Sequence, residues 1–504
     1  MGGRHRFGVQ AAGGAFHREA ARVKSQTPTV TRGPTVALRF ESTPPALADS
    51  FRPMETLDPT LAGCLAPQGS PGKTQHIALA AGAISGMGEW MVAERPETID
   101  LLICDPNTQP IAARVNQALG AVGRITRLLT LAPQPGEDHL VCDDEAIINV
   151  TAILRASPYL NPIAVGSGTL NDITKMASFA LERDYICVPT AASMNGYTST
   201  IGAVLSAGVK RTIPAHQPVA IFADLDVLTE APPHMNQAGF GDLLSKPYSH
   251  ADWLLSHLIR DVPYDPAPSA LLDAPFNRLL DDAAEVGAQS HQGISTLMET
   301  LLLSGFSMAM AGTSAPASGG EHLVSHYWDM EQHCQHAPLY ALHGTQVGIA
   351  TRLSALLFER LAAQEEISVA GVQGPEPESL TASDLATYHP KLTPKVLQEV
   401  LEQIDAKQLV GSDWSDEMAR VVRDWPQIRD TLRANLMPAA TITAALDAAG
   451  CASKPSDIGV DRAHALRTLR VCRQIRSRYV ALDLLADLGV LRAWTEGVVA
   501  EVEG

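Results

Sequence analysis

Residues 163–199 read IAVGSGTLNDITKMASFALERDYICVPTAASMNGYTS. An apolar run opens the stretch, Gly166, Ser167 and Gly168 follow it, and a helix-compatible segment continues from Asp172. Glycines at a strand-to-helix turn allow a ligand to approach closely, and the free N–H groups of the next helix favour an anion such as phosphate. The spacing is not GxGxxG, so the turn predicts either a nucleotide pyrophosphate site or a structural turn without a ligand.

The second half of this stretch is a short apolar strand at residues 185–190, followed by a loop of small and hydroxylated residues. Thr190, Ser193, Asn195 and Ser199 offer hydrogen-bond donors and acceptors there. Such a loop either binds a ligand or satisfies its own backbone, and the residues alone leave both interpretations open.

Strand-like apolar runs alternate with helical segments in the first half of the chain. Buried strands are predicted at residues 77–80, 101–104 and 125–131, and further strands of the same sheet at 209–213 and 219–222. Strands separated by helices imply βαβ units and a parallel sheet. Asp105 directly follows the second strand, at the edge where open α/β sheets bind ligands, and is either a nucleotide contact or a helix cap.

Beyond residue 230 the pattern predicts helices separated by Pro or Gly breaks. A run of small residues at 305–320 leads into His322 and His326, which stand four apart and so project from one helix face. His343 precedes a further helical stretch. Imidazoles on two helices, with an oxygen ligand from elsewhere, provide a catalytic metal site with an open position. A helix face with one exposed and one packed ring is the alternative.

Composition excludes some classes of function. The formal net charge of −17 over 504 residues argues against a nucleic-acid partner, which needs a basic face. The seven scattered cysteines, without any CxxC, predict reduced thiols in a cytoplasmic protein, and the chain lacks an uninterrupted apolar run that would predict a membrane span. Residues 1–74 are rich in Gly, Pro, Ser, Thr and Arg and predict a disordered extension, with a transit peptide or an early start codon as alternatives.

Six motifs occur in a specific order along the chain. They are GSGTLNDITK at 166–175, VPTAASMNGYTS at 188–199, AGFGDLLSK at 238–246, SGGEHLVSHYWDM at 318–330, ALHGTQVGIAT at 341–351 and IRSRYVALDLLADLGVL at 475–491. Over residues 76–491 the chain resembles the bacterial branch of the sn-glycerol-1-phosphate dehydrogenases, within the group of iron-containing alcohol dehydrogenases, glycerol dehydrogenases and dehydroquinate synthases. The resemblance implies an α/β, Rossmann-like nucleotide-binding domain with a parallel sheet at residues 75–230. It implies an all-α, dehydroquinate synthase-like domain for metal and substrate at residues 231–504.

The resemblance also implies site residues, position by position. The implied metal ligands are Asn195, His322 and His343; the cofactor contacts are Asp105, Gly166, Ser167, Gly168, Asp172, Thr190, Ser193 and Ser199; the catalytic residues are His326 and Asp172; and the substrate contacts are Asp242 and Lys246, with Lys246 as the candidate for a substrate phosphate. Asn195 departs from the family pattern, which usually has Asp, so the affinity for a divalent metal is expected to fall. Asp242 is equally placed to cap the following helix.

The activity implied by the resemblance is that of an NAD- or NADP-dependent oxidoreductase with a divalent metal, Zn, Ni or Fe. It would interconvert dihydroxyacetone phosphate and sn-glycerol 1-phosphate by hydride transfer, with this small phosphorylated substrate as its partner and a homodimer as a working hypothesis for its assembly. The alternatives are a dehydrogenase for another small polyol or its phosphate, a dehydroquinate synthase-like lyase, and a nucleotide-binding protein without catalysis.

Overall fold

The computed structural model describes residues 57–96, 99–133, 139–206, 209–372, 374 and 381–504, all within one compact unit, Phe51–Gly504. A parallel sheet occupies the first part of this unit, and helices follow it. The two parts share a continuous hydrophobic core, in which Ile77 and Ile221 of the sheet belong to the same cluster as Leu301 and Trp328 of the helices. The main sheet ends at Asp224 and helices follow from Leu225, while the domain boundary near residue 230 stays a prediction.

Eight strands form two separate sheets. They are β1 (His76–Ala80), β2 (Ile99–Cys104), β3 (Thr126–Thr130), β4 (Leu160–Val165), β5 (Ile186–Val188), β6 (Ile201–Ser206), β7 (Val209–Pro214) and β8 (Ala220–Asp224). Six of them form one sheet in the order β1-β8-β5-β4-β2-β3, and all neighbouring pairs are parallel, which confirms the predicted parallel sheet. β6 and β7 form an antiparallel pair of their own, so the prediction that residues 209–213 extend the main sheet is wrong.

The helices are α1 (Pro59–Gly63), α2 (Ala83–Glu94), α3 (Gln109–Ala121), α4 (Asp144–Ala156), α5 (Gly168–Phe179), α6 (Leu225–Glu230), α7 (Pro233–Leu244), α8 (Lys246–Arg260), α9 (Ala267–Ala270), α10 (Asp273–Asp281), α11 (Ala283–Gly287), α12 (His291–Ala311), α13 (Gly320–Cys334), α14 (His343–Ala362), α15 (Ala382–Leu385), α16 (Pro394–Lys407), α17 (Gly411–Asn435), α18 (Ala439–Ala448), α19 (Arg462–Val471), α20 (Ala481–Asp487) and α21 (Leu491–Glu503). Short 3-10 turns lie at Ala315–Ala317, Pro455–Ile458 and Cys472–Ile475. The predicted helical character of the chain beyond the sheet is confirmed.

The strand order of the main sheet reverses between β2 and β4. The chain moves outward from β2 to β3, then returns to place β4 on the other side of β2, and continues through β5 to β8. Ligands of open α/β sheets bind outside the carboxyl ends of the strands at such a reversal. Asp105, which follows β2, and Gly166, which follows β4, both lie at this position.

Part of the extension that the sequence predicts to be disordered is folded. Residues 1–56 lie outside the described residues, but residues 57–74 include α1, whose Leu61 is fully buried in the core. The Thr74 hydroxyl donates to the carbonyl oxygen of Pro218 at 2.8 Å, and the Gly72 N–H donates to Oδ1 of Asp184 at 2.9 Å. The prediction is wrong for residues 57–74 because one buried leucine and these hydrogen bonds attach the segment to the sheet.

One helix of the described part, α12, is long and apolar enough to cross a membrane by length and composition alone. Of its most apolar window, 72% is buried inside the protein. Leu297, Leu301 and Leu302 are fully buried in the main core cluster. The apolar character of α12 is therefore accounted for by its position in the core.

All seven cysteines lie in described residues and are free thiols. This agrees with the prediction that none of them forms a disulfide.

Candidate active site

Three side chains from three helices converge in the helical part of the protein. Asp242 lies near the end of α7, His322 in the first turn of α13, and His343 is the first residue of α14. One ligand atom from each lies within 4.8 Å of the other two, so the three side chains can hold a metal ion. A carboxylate with two imidazoles suits zinc and other divalent metals and leaves coordination positions open. We call Asp242, His322 and His343 the metal trio.

Close packing of α7 against α14 brings Asp242 beside His343. A Cβ atom added at Gly344 would lie 1.9 Å from the carbonyl oxygen of Ala238, and one added at Gly241 would lie 2.5 Å from the carbonyl oxygen of Gly344. Glycine is required where two backbones approach so closely. The glycines of AGFGD and HGTQVG therefore allow the helix contact that assembles the metal trio.

A chain of hydrogen bonds fixes the orientation of the His343 ring. Nε2 of Gln346 donates to Oδ1 of Asp329 at 3.1 Å and to the carbonyl oxygen of Ala341 at 2.9 Å, so its Oε1 accepts from the Ser325 hydroxyl at 3.1 Å. Because that proton is committed, Oγ of Ser325 accepts from Nδ1–H of His343 at 2.8 Å. Nε2 of His343 keeps a free lone pair, which is the state that binds a metal. Burial lowers the pKa of His343 to about 3, so the ring is neutral.

His322 is held from both sides. Its Nδ1 donates to Oε1 of Glu321 at 2.9 Å, and its Nε2 lies 3.2 Å from Oδ1 of Asp242. Burial opposes a charge on this ring, but the hydrogen bonds to Asp242 and Glu321 outweigh it and raise the pKa to about 9. With Nδ1–H committed to Glu321, Nε2 and the Asp242 carboxylate must share either a proton or a cation. The trio therefore fits a divalent metal, with Glu321 as the carboxylate that orients the ligand ring.

Asn195 approaches the metal trio through its backbone. Its backbone N–H donates to Oδ2 of Asp242 at 3.0 Å, and its Nδ2 is buried with no hydrogen-bond partner among the described residues. Asp242 provides a carboxylate beside the two histidines. Asn195 as a metal ligand, and the reduced metal affinity expected from it, stay predictions. Asp242 lies within α7 and so does not cap α8.

His326 stacks on the metal trio without belonging to it. Its ring lies 5.3 Å from that of His343, centroid to centroid, with the planes 15° apart. Burial, and then the positive charge of Arg476, hold its pKa well below the usual range, so the ring is neutral. Its Nδ1 is buried and has no hydrogen-bond partner in the described part of the chain. A neutral imidazole with an unused nitrogen can give or accept a proton.

Lys246, the first residue of α8, is almost fully buried, and its Nζ makes no hydrogen bond to any described residue. Burial lowers its pKa to about 7, against the opposing charges of Asp242 and Glu321. Lys246 thus faces the carboxylates around the metal trio.

The predicted nucleotide contacts lie at the carboxyl edge of the sheet. α5 begins at Gly168, directly after β4, and its N-cap Ser167 makes no side-chain capping bond, so the first N–H groups of the helix remain available to an anion. Oδ1 of Asp105 accepts from both the N–H (2.8 Å) and the hydroxyl (3.0 Å) of Thr108. This is the turn-capping role that the sequence left open for Asp105, and it commits one of its two oxygens. The edge fits a nucleotide phosphate.

Two predicted cofactor contacts are engaged in holding the loop after β5. Asp172 accepts from the N–H of Ala203 at 3.1 Å and lies 3.4 Å from Nζ of Lys175. That Nζ donates to Oγ of Ser199 at 3.3 Å and to the carbonyl oxygen of Gly196 at 2.8 Å. No contact among the described residues joins Asp172 to the three histidines, so the structure does not bring it to the metal trio. Thr190 and Ser193 lie in the loop itself, at the end of β5.

Sequence reasoning missed two basic residues close to His326. Arg476 precedes α20, and Lys210 lies on β7; their charges both act on His326. Nη2 of Arg476 donates to the carbonyl oxygen of Lys210 at 2.8 Å, which ties the tail segment to the β6–β7 hairpin. The only sequence signal was the presence of Arg476 in the IRSR motif, because at least 116 residues separate any two of these groups in the chain.

Comparison with known proteins agrees with this arrangement. The family model for iron-containing alcohol dehydrogenases matches residues 78–232. Over 299 residues the chain is 35% identical to a glycerol-1-phosphate dehydrogenase (NAD(P)+) of Bacillus subtilis, a match that covers 59% of this chain and 75% of that protein. Over 264 residues it is 38% identical to the enzyme of the same name from Halalkalibacterium halodurans, covering 52% of this chain and 65% of the relative, so it spans slightly less than two thirds of that relative's length.

A solved structure shares the fold. The iron-containing alcohol dehydrogenase of Corynebacterium glutamicum superposes with a TM-score of 0.54 at 13% identity, over 85% of this chain and 97% of that one. The parallel sheet, the helical part and the metal trio thus define a protein with the fold of the iron-containing alcohol dehydrogenases. Within that group, the chain belongs to the glycerol-1-phosphate dehydrogenase family.

Proposed function

We propose that this protein is an NAD(P)-dependent, metal-dependent oxidoreductase that interconverts dihydroxyacetone phosphate and sn-glycerol 1-phosphate. The observation that carries the proposal is the metal trio, with one ligand atom each from Asp242, His322 and His343 within 4.8 Å of the others. The names of the curated relatives support the choice of substrate and cofactor.

When bound, a divalent metal supplies Lewis-acid polarisation of a carbonyl oxygen, and a nicotinamide cofactor supplies the hydride. Asp242, His322 and His343 would hold the metal. The free N–H groups at the start of α5 would hold the cofactor phosphates, with the loop that follows β5 closing over them.

His326 is proposed to transfer a proton to or from the substrate oxygen. Its ring is neutral, stacks on His343, and keeps a buried Nδ1 without a partner among the described residues. A neutral imidazole in this position can donate a proton to a developing alkoxide or accept one from an alcohol. Asp172 and Ser199 are proposed to support the cofactor loop through Lys175 and not to touch the reacting atoms.

The experiment follows NADH and NADPH oxidation at 340 nm with dihydroxyacetone phosphate, with unphosphorylated dihydroxyacetone as the matched control. The proposal expects turnover with the phosphorylated ketone and a product that is sn-glycerol 1-phosphate and not its enantiomer, as read by an enantiospecific assay. Turnover of dihydroxyacetone alone would show that the substrate is not phosphorylated. Tight nucleotide binding without turnover of either ketone would show that the protein binds a nucleotide without catalysis.

A further inference from the structure

Four basic side chains lie on β7 and in the segment before α20, and three of them lie in the field of a carboxylate. Arg211 lies 2.7 Å from Glu399, and Nζ of Lys210 lies 3.9 Å from Oδ2 of Asp329. Arg478 is exposed to the negative charges of Asp252 and Glu321. These three charges are compensated within the protein.

Arg476 is the exception. Among the described residues no carboxylate lies within ion-pair distance of it, and the charges that act on it, those of Arg478 and Arg211, are positive. The hydrogen bond recorded for its guanidinium is the one from Nη2 to the carbonyl oxygen of Lys210. A half-buried guanidinium next to other positive charges and without a counter-ion is stabilised when an anion binds to it.

The path of the chain places Arg476 beside the candidate active site. Two residues further on, Arg478 donates to the carbonyl oxygen of Ser318 and, at 2.9 Å, to Oγ of Ser314 in the loop before α13. The N–H of Ala481 donates to Oδ1 of Asp252 at 2.6 Å, and the other oxygen of Asp252 accepts from the N–H of Gly320 at 2.7 Å. The tail segment therefore runs along the start of the helix that carries His322 and His326.

Lys246 lies among different charges from Arg476. The charges that act on it are those of Asp242 and Glu321, both carboxylates next to the metal trio. A second anion beside Lys246 would have to approach these two negative groups. The charges that act on Arg476 are positive, in contrast to those that act on Lys246.

We propose that Arg476 binds the phosphate of the substrate, with Lys210 beside it. This inference rests on the proposed function and assigns to Arg476 the role that the sequence suggested for Lys246. The ligand class is a small phosphate monoester, whose dianion a guanidinium binds through two parallel hydrogen bonds. Arg476 is a binding residue and takes no part in hydride or proton transfer.

The test compares kinetics on two ketones that differ only in the phosphate. In Arg476→Gln we expect the KM for dihydroxyacetone phosphate to rise about 10- to 100-fold, the loss of a charge-assisted contact. The slow reduction of dihydroxyacetone should stay within about twofold. Arg476→Lys keeps the charge and loses the two-pronged geometry of the guanidinium, so its KM for dihydroxyacetone phosphate should lie between those of the wild type and of Arg476→Gln. Arg211→Gln, which removes an equal charge on β7 beside Lys210, is the matched control and should change KM less than about threefold.

Equal losses on both ketones, or an unchanged KM for the phosphorylated one, would overturn the inference. Should Arg476→Gln fail to fold, Arg476→Lys decides, because an unaltered KM in that variant contradicts two-bond recognition. A wild-type protein inactive on dihydroxyacetone phosphate would refute the proposed function alone. Calorimetric titration with inorganic phosphate would then test the subsite by itself: binding to wild type that Arg476→Gln weakens sustains it, and equal or absent binding in both ends it.

Discussion

Nε2 of His322 lies 3.2 Å from Oδ1 of Asp242, although 80 residues and two different helices separate them in the chain. Since the other ring nitrogen of His322 is committed to Glu321 at 2.9 Å, this short distance requires a positive species between the two atoms or on the ring. Asp242, His322 and His343 would hold a divalent metal here, and without one a proton on His322 faces the carboxylate, which accounts for the raised pKa of His322. Asp242 is thus proposed as the anionic ligand of the site.

Asp242→Asn should release the metal. The substitution keeps the shape of the side chain and removes the negative charge that faces both histidines, so we expect the divalent-metal affinity to fall by about 100-fold or more. Equilibrium dialysis followed by elemental analysis measures it. Asn195→Ala is the matched control at the neighbouring position and should keep the metal within about tenfold. Metal retained by Asp242→Asn and lost by Asn195→Ala would return position 195 to the ligand set.

Ser325→Ala should weaken metal binding through His343. The hydroxyl accepts Nδ1–H of His343 at 2.8 Å, and its removal lets the ring adopt the other tautomer or turn away. Loss of such a supporting hydrogen bond reduces metal affinity about 10- to 100-fold. Ser304→Ala is the control, because Oγ of Ser304 is buried with no hydrogen-bond partner in the described chain. Equal affinities in the two variants would refute the proposed role of the Gln346–Ser325 chain.

Gly344→Ala should separate α7 from α14. The new Cβ would lie 1.9 Å from the carbonyl oxygen of Ala238, so the helices must move apart at a cost of about 1–3 kcal/mol or more, and the metal trio should lose its geometry. Gly120→Ala is the control, because a Cβ atom at Gly120, near the end of α3, would have no other atom within 4 Å. Since alanine favours a helix over glycine, this variant should be more stable by about 0.5–1 kcal/mol. Denaturant titration and metal analysis of the two variants test this. A Gly344→Ala protein with unaltered stability and metal content would contradict the close crossing.

The buried His389 should make the protein less stable in acid. Burial lowers its pKa to about 4 from the ordinary 6.5, although the hydrogen bond to Gln474 opposes the shift. Between these two pH values the unfolded chain binds a proton that the folded protein does not, so stability falls as the pH decreases from about 6.5 to about 4.

We expect this histidine to contribute on the order of 1–3 kcal/mol to that loss. His389→Gln, which cannot be protonated, should flatten the dependence, whereas His291→Gln, at an exposed position, should leave it unchanged. Calorimetric melting temperatures at pH 7 and pH 4.5 provide the comparison. Parallel falls in wild type and His389→Gln would show that other groups dominate the acid sensitivity.

The sequence predicts which segments form strands better than it predicts how those strands pair. Apolar runs such as residues 101–104 and 163–165 predict strands because both faces are buried, and these runs are β2 and part of β4. Residues 209–213, VKRTI, have large apolar side chains only at their two ends, and this strand pairs with β6 outside the main sheet. β6 itself was not predicted, and the pairing of strands depends on contacts that the local pattern does not contain.

Two members of the metal trio, His322 and His343, could be proposed as metal ligands from the sequence, whereas the third, Asp242, could not. His322 and His343 stand at motif positions that suggest a metal, whereas Asp242 looks like a helix cap until α7 and α14 are packed together. The signal that identifies it is the pair of glycines, Gly241 before the carboxylate and Gly344 after the histidine, which only a close helix crossing requires. The sequence did not indicate a role for Arg476 either, because its hydrogen-bond partner, Lys210, lies 266 residues away in the chain.

The most direct test of the central claim is metal add-back in a single assay. Protein stripped with a chelator is assayed for NADH or NADPH oxidation with dihydroxyacetone phosphate, before and after addition of Zn²⁺, Ni²⁺ or Fe²⁺, in parallel with Asp242→Asn. We predict no activity in the stripped protein, recovery of the wild type with at least one of the metals, and no recovery of the variant. Full activity of the stripped wild type, or equal recovery of Asp242→Asn, would contradict a metal-dependent reaction at Asp242, His322 and His343.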